Sequence, residues 1–342
     1  MRFGKTLAVM CCCAGALSAS AQAGGQSGGW QPSPGHKQVA IWPGAAPDPQ
    51  PVKGPETVAV DPTFLVAGKT VAGVSNVTRP TMTVYSPKGK NTGVAVVVFP
   101  GGGFQMLAID LEGTEVCDWL TARGITCVLL KYRVTDVGPY PKSGPLPESP
   151  MALEDAQRTM GLVRDHAAQW HIDPHKIGVL GFSAGGGMVA DISNHYAKRL
   201  YPMVDAADRV SCRPDFAVAV YPGHLSLSAA EYDATMGTKK FALARPRDAS
   251  IGDPDLELNP DLHLTRQTPP TFIVEAEDDH IDSVYDALAY YIALQRAGVP
   301  AEMHLYAQGN HAYGLRRTKL PVTAWPDLME TWLHTIGMLP QS

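Results

Sequence analysis

The feature that most constrains the fold is a regular alternation of short apolar runs with segments of helical periodicity. Residues 94–99 are uninterrupted apolar side chains, which is what a strand buried on both faces of a parallel sheet requires. Five later runs are predicted to be strands: residues 125–131, 176–181, 216–221, 271–275 and 302–306. Helices are predicted over residues 113–122, 184–196 and 282–298, over a long segment after residue 150, and through Trp325 and Trp332. The repeated pattern predicts an α/β fold in which a mainly parallel sheet is flanked by helices on both faces.

The composition and charge exclude several classes of partner. The chain has 342 residues and a formal net charge of −5, with basic and acidic residues spread along it. Without a basic stripe, nucleic acid is not an expected partner. Beyond the first residues no apolar run approaches the length of a membrane span. Apolar residues make up 45% of the chain, which is enough for the core of a globular protein.

The first 23 residues have the pattern of a secretory signal peptide. Arg2 and Lys5 precede an apolar stretch over residues 6–19, and a small-residue site, Ala-Gln-Ala, follows at residues 21–23. We expect cleavage after Ala23 and export to the periplasm or the cell exterior.

The rest of the chain is predicted to hold one catalytic domain behind an N-terminal segment. Residues 24–75 are rich in Gly, Pro, Gln and Ser at their start and are interpreted as an extended arm. Residues 76–342 are interpreted as the catalytic domain. Within it, residues 223–268 lack a steady period and could form a cap over the active site.

Three cysteines would remain after signal-peptide cleavage: Cys117, Cys127 and Cys212. In an exported protein two of them could pair, and the spacing does not say which. Because Cys117 falls in a predicted helix and Cys127 in an apolar strand, buried free thiols are the expected state.

A short motif marks one strand end as a candidate active site. Ser183 lies in Gly-Phe-Ser-Ala-Gly, residues 181–185, between a predicted strand and a predicted helix. This is the G-x-S-x-G pattern of a nucleophile elbow, a strained turn that lifts the serine hydroxyl above the edge of the sheet. The free amides and the dipole of the following helix favour a developing anion. Ser183 is therefore predicted to be a nucleophile.

A serine hydroxyl needs a general base, and His311 is the best-placed histidine. It follows the last predicted strand, in a loop at the same sheet edge. The strand before that one leads into Glu-Asp-Asp-His at residues 277–280, where a carboxylate would orient the imidazole. Its position relative to the strand end favours Asp279 as this acid, with Asp278 as the alternative.

A glycine-rich loop, Pro-Gly-Gly-Gly-Phe at residues 100–104, follows the first buried strand. Glycines let backbone amides approach a reacting carbonyl oxygen closely, so an oxyanion hole is predicted from the amides of Gly102, Gly103 and Ala184. Beyond the loop, Asp110 and Glu112 could line the pocket or buttress the loop. No cofactor is expected. No metal is expected either, because the acidic run at residues 275–280 lacks the spacing of an EF-hand calcium site.

These motifs occur in an order that resembles a known family. The segments that carry the resemblance are residues 97–104, 110–113, 131–134, 181–185, 277–280 and 309–314. Together they resemble bacterial α/β-hydrolases of the acetyl-xylan-esterase and feruloyl-esterase-like group, often labelled esterase/lipase. The chain departs from related patterns at Pro100, where a histidine is common, and at Phe182, where an aspartate is common. It departs again at Asp282, where the D-x-x-V-P continuation has valine.

The resemblance implies hydrolysis of carboxylic esters through an acyl-enzyme. It further implies short acyl groups, acetyl above all, on a small molecule or a carbohydrate such as acetylated xylan. Two alternatives stay open: a serine peptidase of the same fold, and a non-catalytic binding protein that keeps the hydrolase fold.

Overall fold

In the computed structural model, the residues described are 29–49, 54–135, 149–226 and 256–340. The expected signal peptide, residues 1–23, lies outside the described residues, and so does most of the expected cap, at residues 227–255. None of the helices within the described ranges is long and apolar enough to span a bilayer.

The centre of the fold is an eight-stranded sheet. Its strands are β1 (Gln38–Ala40), β4 (Thr81–Tyr85), β5 (Ala95–Phe99), β7 (Thr126–Lys131), β8 (Ile177–Phe182), β9 (Ala217–Val220), β10 (Thr271–Ala276) and β11 (Ala301–Tyr306). Their spatial order is β1-β4-β7-β5-β8-β9-β10-β11. The β1/β4 and β4/β7 pairs are antiparallel, and the other five pairs are parallel. Every residue of β5, β7, β8, β9 and β10 is buried, as their apolar runs predict.

Helices cover both faces of this sheet. A π-helical turn, Asp110–Thr114, leads into α1 (Glu115–Thr121), and α5 is Trp325–Thr335. These two helices share one face, because Arg123 just after α1 donates to Glu330 of α5 at 2.7 Å. The connection from β5 to β7, which contains α1, and the connection from β7 to β8, which contains α2 (Pro150–Asp165), run in opposite directions across the sheet. Because both crossovers are right-handed, α2 lies on the face opposite to α1. The next helix, α3 (Ala184–Asn194), packs against α2 on that face. A further helix, α4 (Val284–Ala297), packs on β10 and β11.

The N-terminal segment is more regular than the extended arm expected over residues 24–75. Its β2 (Thr57–Val66) and β3 (Lys69–Ser75) form an antiparallel hairpin, which pairs with β6 (Met106–Ala108) as a second, three-stranded sheet. The hairpin turns at Ala67 and Gly68, both with positive φ. Most of β2 is exposed, so its sequence lacks the alternation of a half-buried strand. β1 also comes from this segment and joins the edge of the main sheet.

The expectation of free thiols is wrong for two of the three cysteines. Cys117 in α1 and Cys127 in β7 are bonded to each other, with a Cα–Cα separation of 5.1 Å. The physical reason is that α1 packs directly on β7, which brings two fully buried thiols together across that interface. Cys212 is a buried free thiol, as expected.

Candidate active site

The elbow between β8 and α3 places Ser183 at the carboxyl edge of the sheet. Its backbone has φ +53° and ψ −124°, a strained conformation for a residue with a side chain. The tightness of the turn explains two of the neighbouring glycines. A Cβ on Gly181 would lie 2.0 Å from the carbonyl oxygen of Gly185, and one on Gly185 would lie 2.2 Å from the carbonyl oxygen of Phe99. The G-x-S-x-G sequence is thus required by packing as well as by chemistry.

The structure brings His311 and Asp279 together with Ser183 in a hydrogen-bonded chain. His311 Nε2 lies 3.0 Å from Ser183 Oγ, and His311 Nδ1 lies 2.6 Å from Asp279 Oδ2. The second carboxylate oxygen of Asp279 accepts from the backbone amides of Ile281, at 2.8 Å, and Asp282, at 3.1 Å. With its proton on Nδ1, His311 is oriented to accept the serine proton at Nε2.

The alternative acid, Asp278, has a different task. Its Oδ1 accepts from the backbone amides of Gly309, at 2.8 Å, and Asn310, at 2.6 Å. These two amides immediately precede His311. The two adjacent aspartates therefore have different roles: Asp279 contacts the imidazole of His311, and Asp278 fixes the loop that carries His311.

Negative charge around His311 sets its protonation behaviour. Burial by itself lowers the pKa of His311. The hydrogen bond to Asp279 and the charges of Asp282, Asp279 and Glu112 outweigh burial and raise that pKa above its ordinary value. The site consequently favours the imidazolium form, which a general base reaches once it has taken a proton.

The glycine-rich loop is held from below by Glu112. Gly101 N donates to Glu112 Oε2 at 2.7 Å, while the Tyr221 hydroxyl donates to Glu112 Oε1 at 2.9 Å. Burial raises the pKa of Glu112, and these two donors offset part of that effect. Of the two roles left open by the sequence, Glu112 therefore has the buttressing one.

The amides assigned to the oxyanion hole form no hydrogen bond within the part of the chain that the structure describes. Gly102 and Gly103 have φ of +130° and +61°, and Gly102 O accepts from the amides of Gln105 and Met106. Within the described residues, the amides of Gly102 and Gly103 have no acceptor. Ala184 N is the first amide of α3 and has no partner inside that helix. Gly101 N does not belong to this set, because it is bonded to Glu112.

Two residues of the site were not assigned from the sequence. Tyr221, which directly follows β9, packs edge-on with the His311 ring at a centroid separation of 4.9 Å. Asp282 Oδ2 accepts from Ser183 Oγ at 3.1 Å. The only signal for Asp282 was its departure from the valine of the related pattern, and nothing in the motif marked Tyr221.

No group of three or more His, Cys, Asp or Glu side chains arranged to hold a metal ion occurs in the parts of the chain that the structure describes. The polar groups of the site are instead used by one another, in the chain from Asp279 through His311 to Ser183.

Comparison with known proteins decides the family. Residues 96–315 match the family model described as the alpha/beta hydrolase fold. This chain belongs to the α/β-hydrolase family. A solved structure of a family relative, the acetyl ester-xyloside bifunctional hydrolase from Caldicellulosiruptor lactoaceticus, superposes with a TM-score of 0.65 at 30% identity. The match covers 89% of this chain and 97% of the relative's chain.

Two curated relatives are similar over part of their length. An acetylxylan esterase of Xylanibacter ruminicola is 27% identical over 252 residues, which is 72% of this chain and 46% of that protein. Endo-1,4-beta-xylanase B of Butyrivibrio fibrisolvens is 28% identical over 216 residues, which is 63% of this chain and 32% of that protein. The chain thus spans less than half the length of either relative.

Proposed function

We propose that this α/β-hydrolase is a serine carboxylesterase that removes short acyl groups, acetyl above all, from carbohydrate such as acetylated xylan. The observation that carries the chemistry is the connected chain from Ser183 Oγ through His311 to Asp279. Beside it lie the amides of Gly102 and Gly103, which have no acceptor among the described residues. The substrate class is supported by relatives named for acetylxylan and acetyl ester-xyloside hydrolysis.

The proposed reaction proceeds in two halves. Ser183 Oγ attacks the ester carbonyl carbon while His311 Nε2 takes the hydroxyl proton. The amides of Gly102, Gly103 and Ala184 hold the oxyanion, and His311 returns the proton to the departing alcohol oxygen. A water molecule then gives a proton to His311 and attacks the acyl carbon. His311 passes that proton to Ser183 Oγ as its bond to the acyl carbon breaks, which releases the carboxylic acid and restores the serine hydroxyl.

The first test is hydrolysis of 4-nitrophenyl acetate, butyrate and octanoate by the mature protein, beside Ser183→Ala. We expect activity to fall with acyl length and to be lost in the variant. Release of acetate from acetylated xylan then tests the polymer. A folded Ser183→Ala that kept wild-type activity would refute the proposed nucleophile. Folded wild-type protein inactive on all three esters would refute the esterase assignment.

We also propose that residues 1–23 are a signal peptide and that the mature protein works outside the cytoplasm. The support is the n-region, apolar stretch and cleavage pattern, together with the Cys117–Cys127 disulfide, since such bonds persist in oxidising compartments. N-terminal sequencing of protein recovered from the periplasm or medium should begin at Gly24. An intact N-terminus on cytoplasmic protein would contradict the proposal.

A further inference from the structure

A third carboxylate, that of Asp282, stands beside the nucleophile. Its Oδ2 lies 3.1 Å from Ser183 Oγ and 3.9 Å from His311 Nε2. The side chain is 14% exposed, so it is not sealed from solvent. The reaction described above uses Asp279 to orient the base and leaves Asp282 without a role.

The fold makes room for this carboxylate at one point of the neighbouring backbone. A Cβ on Gly223 would lie 2.3 Å from Asp282 Oδ1. Gly223 follows β9 and donates its amide to the carbonyl oxygen of Ser183 at 3.4 Å. Asp282 is therefore seated against the backbone that supports the elbow, in a space that only a glycine leaves open.

Asp282 competes with the general base for a single proton. A serine hydroxyl has one hydrogen to donate, yet Ser183 Oγ has acceptors at 3.0 Å on His311 and at 3.1 Å on Asp282. Nucleophilic attack requires that the serine hydroxyl donate its proton to His311. If a donor group of the substrate formed a hydrogen bond with Asp282, the carboxylate would no longer compete, and the serine hydroxyl would point to His311.

The position of Asp282 indicates which part of the substrate supplies that donor. His311 Nε2 must lie next to the departing alcohol oxygen, because it returns the proton there. Asp282 Oδ2 is 3.9 Å from that nitrogen, so it lies near the position that the departing alcohol oxygen takes. A hydroxyl on the carbon next to the one that bears the ester oxygen would come within reach of it.

We infer that Asp282 is a specificity-determining residue that accepts a hydrogen bond from a hydroxyl adjacent to the scissile ester, as in a sugar acetylated at one of two neighbouring hydroxyls. The inference rests on the proposed esterase function and extends it from the acyl group to the alcohol. Hydrogen bonds to a charged acceptor are among the stronger ones in proteins, so the effect on selectivity is measurable.

The test uses two substrates that differ by one hydroxyl: the monoacetate of trans-cyclohexane-1,2-diol and cyclohexyl acetate. Acetate release gives kcat/KM for each substrate. The ratio of kcat/KM for the diol monoacetate to kcat/KM for cyclohexyl acetate measures recognition of the neighbouring hydroxyl. In Asp282→Ala we expect this ratio to fall about 10- to 100-fold, the range for a hydrogen bond to a charged group. Asp282→Asn keeps an acceptor oxygen, so its ratio should fall less than in Asp282→Ala.

Two further variants separate recognition from general effects. Glu277→Gln removes the same charge from an exposed position in the same loop and should leave the ratio at the wild-type value. Gly223→Ala should lower the ratio while Asp282 itself is intact, because the new Cβ displaces the carboxylate.

A ratio in Asp282→Ala within about twofold of wild type, far less than the fall expected for a lost hydrogen bond to a charged group, would overturn the inference. An equal fall in Glu277→Gln would overturn it as well. Failure of the esterase proposal looks different: wild type and Ser183→Ala would then release acetate from neither substrate.

Discussion

At the scale of single residues, the two adjacent aspartates after β10 show how one position in a loop changes a role. Asp279 holds the imidazole of His311, whereas Asp278 holds the two amides before it. In Asp279→Asn, the amide has no negative charge to stabilise the imidazolium and can favour the wrong tautomer, so kcat should fall about 10³- to 10⁴-fold. In Asp278→Asn the loop keeps one acceptor oxygen, and we expect a fall of about tenfold or less, as for a weakened hydrogen bond. Steady-state kinetics of the two variants check this, and equal losses would contradict the division of roles.

The charge of Asp282 is another effect of a single residue, because it helps to raise the pKa of His311. A protonated His311 cannot accept the serine proton, so kcat/KM rises with pH through the pKa of His311. Since that pKa is raised, the acid limb should lie above about pH 6.5, the ordinary histidine value. Neutralising one of the charges that raise it, in Asp282→Asn, should move the limb to lower pH. The pH profile of kcat/KM measures this. Glu277→Gln is the matched control, and an equal displacement there would show that the effect is not local.

At the scale of elements, the loop after β5 depends on a contact with the π-helical turn that precedes α1. Glu112 on that turn accepts from Gly101 N and from the Tyr221 hydroxyl, and its side chain is buried. Glu112→Ala leaves both donors unpaired, which should lower the free energy of unfolding by about 1–3 kcal/mol. It should also lower kcat, because the amides of Gly102 and Gly103 lose their support. Denaturant unfolding and kinetics on the same preparation check the prediction, and a stable variant with unchanged kcat would contradict it.

A second element-scale prediction concerns the bond between α1 and β7. Cys117 and Cys127 are ten residues apart, so a chain-entropy estimate for closing their loop is about 3 kcal/mol. The double variant Cys117→Ala/Cys127→Ala should be less stable by that order in denaturant unfolding. Wild-type protein should show the same loss in free energy of unfolding after it has been unfolded, reduced and refolded. Equal stability of oxidised wild type and the double variant would mean that the bond does not constrain the unfolded chain.

The elements also show what the sequence can predict. Strands buried on both faces, such as β5 and β8, were predicted within one or two residues because their apolar runs are unbroken. The β2–β3 hairpin was not predicted, because its first strand is exposed and carries Asp61 and Pro62. At the site, Ser183, Asp279 and His311 could be proposed because each follows a strand in a known order. Asp282 could not be assigned a role, because its contact with Ser183 depends on how the loop after β10 folds back towards Gly223.

At the scale of the whole molecule, the N-terminal segment is part of the core and not a detachable arm. Trp42 is 5% exposed, and its Nε1 donates to Asp155 Oδ1 at 2.8 Å. Asp155 also pairs with Arg133, which follows β7, and Arg158 Nε donates to the carbonyl oxygen of Ile41 at 2.9 Å. The segment before β2 is thus tied through α2 to the strand end next to the glycine-rich loop.

This connection predicts how the molecule responds to changes far from the active site. Trp42→Ala should lower the free energy of unfolding by about 3–5 kcal/mol, because it leaves a cavity and removes the donor to Asp155. Trp42→Phe keeps most of the volume and loses only the donor, so a smaller loss of about 1–3 kcal/mol is expected. Phe64→Ala, in the same N-terminal segment but on the exposed side of β2, should change stability by less than about 0.5 kcal/mol. Denaturant unfolding of the three variants measures these differences. If Trp42→Ala were as harmless as Phe64→Ala, the segment would be an appendage, and the catalytic domain would fold independently of it.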